Sequence, residues 1–154
     1  MTGGTIVCGV DDAVEARAAA ELASALGARL GLRLVLVHVL DGIPPGTDES
    51  LSARQRQSGA ERMLALLARE VGEDVETRLV PGPRGETLAA VAAEEGADLI
   101  VVGSRTAGLR GRALRSRLAR ELEAETPVPV LVVPPATRRR SDSRLELASA
   151  VAAR

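Results

Sequence analysis

The sequence predicts an α/β fold, an open parallel sheet of five strands in three layers with helices on both faces. Short apolar runs alternate with longer helical segments from residue 5 to residue 133. Strict alternation is typical of parallel strands joined by right-handed crossovers. Strands one, two and four are nearly continuous runs of Val, Leu and Ile, which indicates burial on both faces.

The first half of the chain contains two strands and one helix. Thr5–Val10 is a short apolar run, and Leu32–Leu40 is a longer one rich in Val. Between them, Ala13–Ala28 is rich in Ala and Leu and has no Gly or Pro until Gly27, which favours a helix. The loop Asp41–Gly46 contains two prolines and two glycines, which break both element types.

The middle of the chain contains a helix, a strand and a second helix. Glu49–Glu70 has apolar residues at helical spacing. Val75–Val80 alternates in the way of a strand near a sheet edge. The turn Pro81–Pro83 follows it. Gly85–Glu95 is then a helix, and Gly96 closes it.

The last part of the fold contains two strands and one helix. We predict strands over Asp98–Val102 and Val128–Val133, and a helix from about Gly111 to Glu125. Pro129 inside a strand is tolerated at a sheet edge, which favours an edge position for the last strand. Residues 1–137 form one domain, and 138–154 form a tail whose capping-box spacing permits a short helix.

Composition excludes several functions. The net charge of −1 gives no bias toward nucleic acid or anionic membranes, and the absence of Phe, Tyr and Trp removes base stacking. All 20 basic residues are Arg, so a Schiff base and a phosphate-loop lysine are both excluded. We expect a cytoplasmic protein, because there is one cysteine, no secretion signal and no apolar run of about 20 residues.

The single Cys8 and the single His38 lie inside predicted strands. No cluster at metal-ligand spacing surrounds either residue, so we predict no metal site and no catalytic nucleophile. Both are interpreted as ordinary strand residues.

A ligand cleft is expected where the winding of the sheet reverses, at the carboxyl ends of the strands. If strand one is central, the reversal falls between strands one and four. The segments there are 9–12 and 103–108, the two most unusual turns of the chain. A strand that ends in small residues and leads to a helix is typical of an anion site.

Five blocks in order resemble the universal stress protein family over residues 5–134. They are Ile6–Asp11, Leu36–Val39, Gly82-Pro83 with the helix Leu88–Glu95, Gly96–Ser104 and Pro127–Val133. The resemblance implies the strand order 3-2-1-4-5, a fold of the adenine nucleotide alpha hydrolase type, and a homodimer paired through the last strand. Pairing of that apolar edge in a twofold dimer would also protect it from aggregation.

Some family members bind ATP through a loop with three glycines and a hydroxyl residue. In this chain those places hold Gly103, Thr106, Ser116 and Arg117, so one of three glycines is kept. Loss of glycine restricts how closely backbone approaches phosphate. The cofactor-binding residues that the resemblance implies for ATP or AMP are Val10, Asp11, Val39, Gly103, Ser104, Thr106, Ser116, Arg117 and Leu118.

Three of these residues have alternative interpretations. Asp11 either lies near adenine or caps the following helix. Val39 either packs on the base or belongs to the core. Arg117 either pairs with Glu121 at i,i+4, holds phosphate, or fills the phosphate space.

Two functional hypotheses remain. The first is a non-catalytic dimeric stress-response or signalling module with weak or absent nucleotide binding and an unidentified protein partner. The second is an ATP- or AMP-binding regulatory switch, with or without slow ATP hydrolysis. A phospho-receiver domain is excluded because the chain has no lysine after strand five and no acceptor aspartate after strand three.

Overall fold

The fold is a three-layer α/β sandwich, seen in a computed structural model that describes residues 3–11, 14–42, 51–104 and 117–134. The five described strands are β1 (Thr5–Gly9), β2 (Arg33–Leu40), β3 (Glu76–Pro81), β4 (Leu99–Gly103) and β5 (Val130–Val133). The four described helices are α1 (Val14–Leu30), α2 (Leu51–Val71), α3 (Arg84–Glu94) and α4 (Arg117–Glu125).

All neighbouring strands of the sheet are parallel, in the order β3-β2-β1-β4-β5. The predicted fold class and strand order are therefore confirmed. β1 is central, and its register pairs Gly9 with Val37 of β2 and with Val102 of β4. The winding of the chain reverses at β1, where sequence reasoning expects a cleft.

Two apolar cores lie on opposite faces of the sheet. The first core packs α1 and α2 against the even-numbered residues of β1 and β2, including Ile6 and Leu36. The second packs α3 and α4 against the other face, with Val7, Leu88 and Leu122 fully buried. Burial of β1, β2 and β4 on both faces explains why their sequences are continuous apolar runs.

Several element boundaries differ from those expected. α1 continues through Gly27 to Leu30 because tertiary packing outweighs the low helix propensity of glycine. β5 is an edge strand as predicted, but it begins at Val130, so Pro129 lies before it and contributes a carbonyl that accepts the amide of Ile100. The predicted first turns of α4, from Gly111, and the tail 138–154 lie outside the described residues.

An ion-paired network ties the amino-terminal ends of the strands to α3. Arg33 bonds Glu76 and Glu95, at 2.9 and 2.8 Å. Arg78 bonds Glu94 and Glu95, at 2.9 and 3.2 Å. Glu95 therefore joins both arginines and fixes the carboxyl end of α3 to β2 and β3.

Among the helices that the structure describes, none combines the length and the apolar character that a membrane span needs.

Candidate functional site

A cleft of about 470 Å³ opens at the carboxyl ends of β1 and β2, beneath α2 and beside the start of α3. Its volume lies in the range of small-molecule sites. Four of its lining side chains are ionised groups, two carboxylates and two guanidiniums. The lining residues are Asp11, His38, Val39, Leu40, Asp41, Gln55, Arg56, Gly59, Ala60, Met63 and Arg84.

His38 fixes the floor of the cleft. Its Nδ1 lies 2.8 Å from the carbonyl oxygen of Val10, so that nitrogen carries the proton and donates. The amide of Val10 in turn donates to the carbonyl oxygen of Val37 at 2.9 Å. The two bonds hold the end of β1 against β2 and direct the chain toward Asp11.

The entry to α3 fixes the opposite wall. Gly82 has a φ of +141°, and a Cβ there would lie 2.4 Å from Oγ1 of Thr87. Its amide donates to the carbonyl oxygen of Leu40 at 3.1 Å. This turn requires glycine, and it places Arg84, the first residue of α3, beside the end of β2.

The cationic groups of the cleft come from two different helices. Arg56 of α2 donates through Nη2 to the carbonyl oxygen of Asp41 at 3.0 Å, which holds its guanidinium at the edge of the cleft. Arg84 of α3 is half-buried. Asp11 and Asp41 place two carboxylates on the same lining, so the cleft is polar but close to neutral.

The residues at the end of β4 contact α1 and continue the hydrogen bonding with β5. A Cβ on Gly103 would lie 2.8 Å from the carbonyl oxygen of Glu15, so this glycine permits close approach of α1. The amide of Ser104 donates to the carbonyl oxygen of Val133 at 2.9 Å. The first amide beyond β4 thus extends the ladder with β5.

Arg117 forms the local ion pair that its spacing predicts. It is the first residue of α4, and its Nε lies 3.3 Å from Oε1 of Glu121. Its side chain is 92% exposed, so it extends into solvent. Leu118 is half-buried and packs on the second core.

The remaining predicted site residues divide by position. Val10 and Val39 are buried, at 5% and 8% exposure, and Asp11 is half-buried; Val39 and Asp11 line the cleft. Pairing of Gly9 with Val102 puts Gly103 beside the end of β1. Thr106 and Ser116 lie outside the described residues.

Of the residues that line the cleft, sequence reasoning named Asp11 and Val39 as site residues and missed the others, among them three polar side chains. His38 was interpreted as an ordinary strand residue, and Arg56 and Arg84 were not singled out. The signal for Arg84 is its position directly after the Gly82-Pro83 turn, at the carboxyl end of a strand, where ligands bind in such sheets. Nothing in the sequence marks Arg56, because a helical arginine is usually a solvated one.

The thiol of Cys8 is unreactive in the folded chain. Burial raises the pKa of the Cys8 thiol to about 12, so the thiol is protonated and a poor nucleophile. Within the described ranges, no group of three or more His, Cys, Asp and Glu side chains is arranged to hold a metal ion.

Comparisons with known proteins agree with this architecture. A family model described as the universal stress protein family matches residues 4–134. A universal stress protein of Synechocystis is 31% identical over 133 residues, covering 84% of this chain and 85% of that protein. A universal stress protein of Thermus aquaticus is 31% identical over 134 residues, covering 84% and 97%.

Solved structures of the same fold include nucleotide complexes. The universal stress protein of Archaeoglobus fulgidus in complex with dAMP matches with a TM-score of 0.65 and 21% identity, covering 86% of this chain and 98% of that one. The strand order and the matches over most of the chain lead to one conclusion. The chain belongs to the universal stress protein family.

Proposed function

We propose that this chain is a non-catalytic, dimeric stress-response or signalling module of the cytoplasm, with weak or absent nucleotide binding. The observation that carries the proposal is the end of β4. There the amide of Ser104 bonds to Val133, and Gly103 packs against α1. Groups already used by the fold are poor candidates for holding a triphosphate, because binding would have to break those contacts.

The residues that the family pattern assigns to the nucleoside are kept better in this chain than the residues that it assigns to the phosphates. Val39 and Leu40 provide apolar contact, and Asp11 provides a carboxylate. The relative from Archaeoglobus fulgidus is described in complex with dAMP. We therefore expect AMP to bind weakly, and the further phosphates of ATP to add no affinity.

Dimerisation through β5 is part of the same proposal. β5 is one of the two edges of the sheet, and Val130, Leu131 and Val132 are only half-buried in the single chain. An apolar edge with unpaired backbone groups favours pairing with a second copy. The module corresponds to residues 1–137, and its further protein partner would recognise the dimer.

Calorimetric titration with adenosine, AMP and ATP tests the nucleotide part of the proposal. We expect a Kd above about 100 μM for each, with ATP no tighter than AMP. A Kd of about 10 μM for ATP would instead raise the unfolding free energy by about 2.7 kcal/mol at 1 mM ligand. That result would contradict the proposal. Light scattering after gel filtration tests the dimer, and a monomer at micromolar concentration would contradict that part.

A second function is favoured by the cleft itself. A cleft of about 470 Å³ at the carboxyl ends of β1 and β2 suits an ATP- or AMP-binding regulatory switch, with or without slow hydrolysis. Tight ATP binding in the same titration would support this function, and phosphate release above the buffer rate would add hydrolysis.

A further inference from the structure

We propose that residues 143–154, which lie outside the described residues, form a helix that packs along one flank of α1 beside β5. The α1 flank is a row of apolar side chains at intervals of four residues along α1, next to Leu131 of β5. Its members on the helix are Ala18, Leu22, Leu26 and Leu30. The occupant is a segment of the same chain. The inference goes beyond the proposed function, because it needs neither nucleotide binding nor a second copy.

The α1 flank points away from α2 and toward the edge strand β5. Ser24 donates to the carbonyl oxygen of Val71, so it faces α2. At about 100° per residue, Leu22 lies on the opposite side of α1 from Ser24. Glu15 lies two turns before Leu22 on that same side, and its Cβ would lie 3.3 Å from a Cβ on Gly103. That side of α1 therefore faces the ends of β4 and β5.

The described elements leave the α1 flank incompletely covered. Leu22 is 39% exposed and Leu30 is 62% exposed, and both Leu26 and Leu131 are only half-buried. α2 packs on β2 and β3, so α1 is the described helix nearest to β5 on this face of the sheet. Single exposed leucines are ordinary on a protein surface, but a continuous apolar row beside a sheet edge favours an occupant.

The sequence of residues 143–154 suits this position. Ser143 and Glu146 have the spacing of a capping box, which predicts a helix that begins at residue 144. A helix over residues 144–154 would span about 16 Å, and residues 18–30 of α1 span about 18 Å. A helix of that length is marginal on its own, so it needs an apolar face that packs on another element. The residues on one face of this helix are Leu145, Ala148, Val151 and Ala152.

The point where the chain leaves the sheet places this segment beside the α1 flank. Val133 at the end of β5 pairs with Gly103, which contacts Glu15 at the start of α1. Residues 135–142 can span up to about 28 Å when extended, which is enough to reverse the chain and lay a helix along α1. The segment does not have to cross the sheet, because β5 is at its edge.

Opposite charges also favour the contact. Residues 1–134 contain nineteen acidic and fifteen basic residues, whereas residues 135–154 contain five arginines and two acidic residues. Arg138–Arg140 follow shortly after the end of β5, where the half-buried residue Glu15 lies. Attraction between the two parts of the chain therefore supports docking. The family model ends at residue 134, so the segment is an addition to what that model describes.

Hydrogen exchange of the full chain, followed by mass spectrometry, tests the inference. We expect the amides of residues 145–153 to exchange at least about tenfold more slowly than in a free peptide of residues 138–154, because the free peptide is rarely helical. Leu22→Asp puts a charge on the α1 flank and should remove this protection. Ala28→Asp is the matched control, because Ala28 is exposed and lies about 120° around α1 from Leu22. It should leave the protection unchanged.

A second pair of variants tests the segment itself. Val151→Asp should bring exchange to the rate of the free peptide, because Val151 lies on the apolar face of the proposed helix. Ala150→Asp adds the same charge one residue away, on the other side of the helix, and should keep most of the protection. Thermal melting of each variant shows whether the sheet remains folded.

Three results would overturn the inference. They are exchange of residues 145–153 at the free-peptide rate in the unmodified chain, protection that Leu22→Asp leaves unchanged, and protection that disappears when dilution dissociates a dimer. The last result would make a second copy the occupant. A monomeric chain with a protected segment would contradict the dimer of the proposed function and support the inference. A dimer with an unprotected segment would do the reverse.

Discussion

The two ends of the sheet use their charged side chains differently. At the amino-terminal end, Arg33 and Arg78 each bond two carboxylates, and Glu95 joins them. At the carboxyl end, Arg84 lines a cleft and has no carboxylate partner among the described residues. Charges that satisfy each other stabilise the fold, whereas charges around a cleft are available to a ligand.

The largest expected effect concerns Gly103, the residue at the carboxyl end that the family pattern assigns to phosphate. Gly103→Ala would place a Cβ 2.8 Å from the carbonyl oxygen of Glu15. We expect the unfolding free energy, measured by urea denaturation, to fall by about 1–3 kcal/mol. Gly59→Ala is the control, because nothing lies within 4 Å of that helical position. It should be neutral or stabilising by up to about 1 kcal/mol.

Equal stability of Gly103→Ala and the unmodified chain would contradict the packing role. In that case the glycine would serve the loop and not the contact with α1.

The second effect concerns the middle of the sheet. Burial raises the pKa of Cys8 from 9.0 to about 12, so the unfolded chain loses its thiol proton first as pH rises. Stability from this group is therefore complete below pH 9 and is lost between pH 9 and 12. We expect the unfolding free energy to fall by about 1.4 kcal/mol per pH unit in that window.

Urea denaturation at pH 8, 9.5 and 10.5 measures this slope, and Cys8→Ala is the control. Arginine stays charged throughout the window, so the ion-paired end is unaffected. A slope that persists unchanged in Cys8→Ala would assign it to other groups.

The third effect concerns the ion-paired end. Glu95→Gln removes the carboxylate shared by Arg33 and Arg78. We expect the melting temperature to fall by about 2–4 °C at low salt. The difference should shrink in 1 M NaCl, because salt screens such pairs. Glu123→Gln, an exposed change of the same charge, should have little effect. A decrease that does not depend on salt would point to lost packing.

The smallest effect concerns Arg117. Because its side chain is 92% exposed and pairs only across one helical turn, Arg117→Ala should change the unfolding free energy by less than about 0.5 kcal/mol. AMP affinity, measured by calorimetry, should be unchanged. A marked gain or loss of AMP binding would show that Arg117 acts on the cleft after all.

The sequence predicts the fold well because its signals are strong and local. Alternating apolar and helical segments require parallel strands with crossovers, and the winding reversal then follows from strand order. Boundaries are less predictable. Gly27 lies within α1 because tertiary packing outweighs the low helix propensity of glycine. Pro129 lies just before β5, where its carbonyl accepts a hydrogen bond from the amide of Ile100.

The site is harder to predict because its side chains come from distant parts of the sequence. Val39 and Asp11 line the cleft, and both follow from the resemblance. Arg84 depends on the Gly82 turn, whose bond to Leu40 joins segments about forty residues apart, and no periodicity encodes it. Gly103 could be found from the sequence, but its role could not. Glycine is required both in a phosphate loop and at a close helix contact, and here it allows the contact with α1.

The buried thiol of Cys8 has a practical consequence. The chain contains no Phe, Tyr or Trp, so aromatic fluorescence and near-ultraviolet absorbance cannot report its folding. Cys8 is fully buried in the central strand, and it is the only cysteine. A thiol reagent will therefore label the protein only when the sheet opens. The rate of labelling therefore measures how often the sheet opens. A compound that binds the folded chain lowers that rate, so the rate can be used to screen for ligands of the cleft.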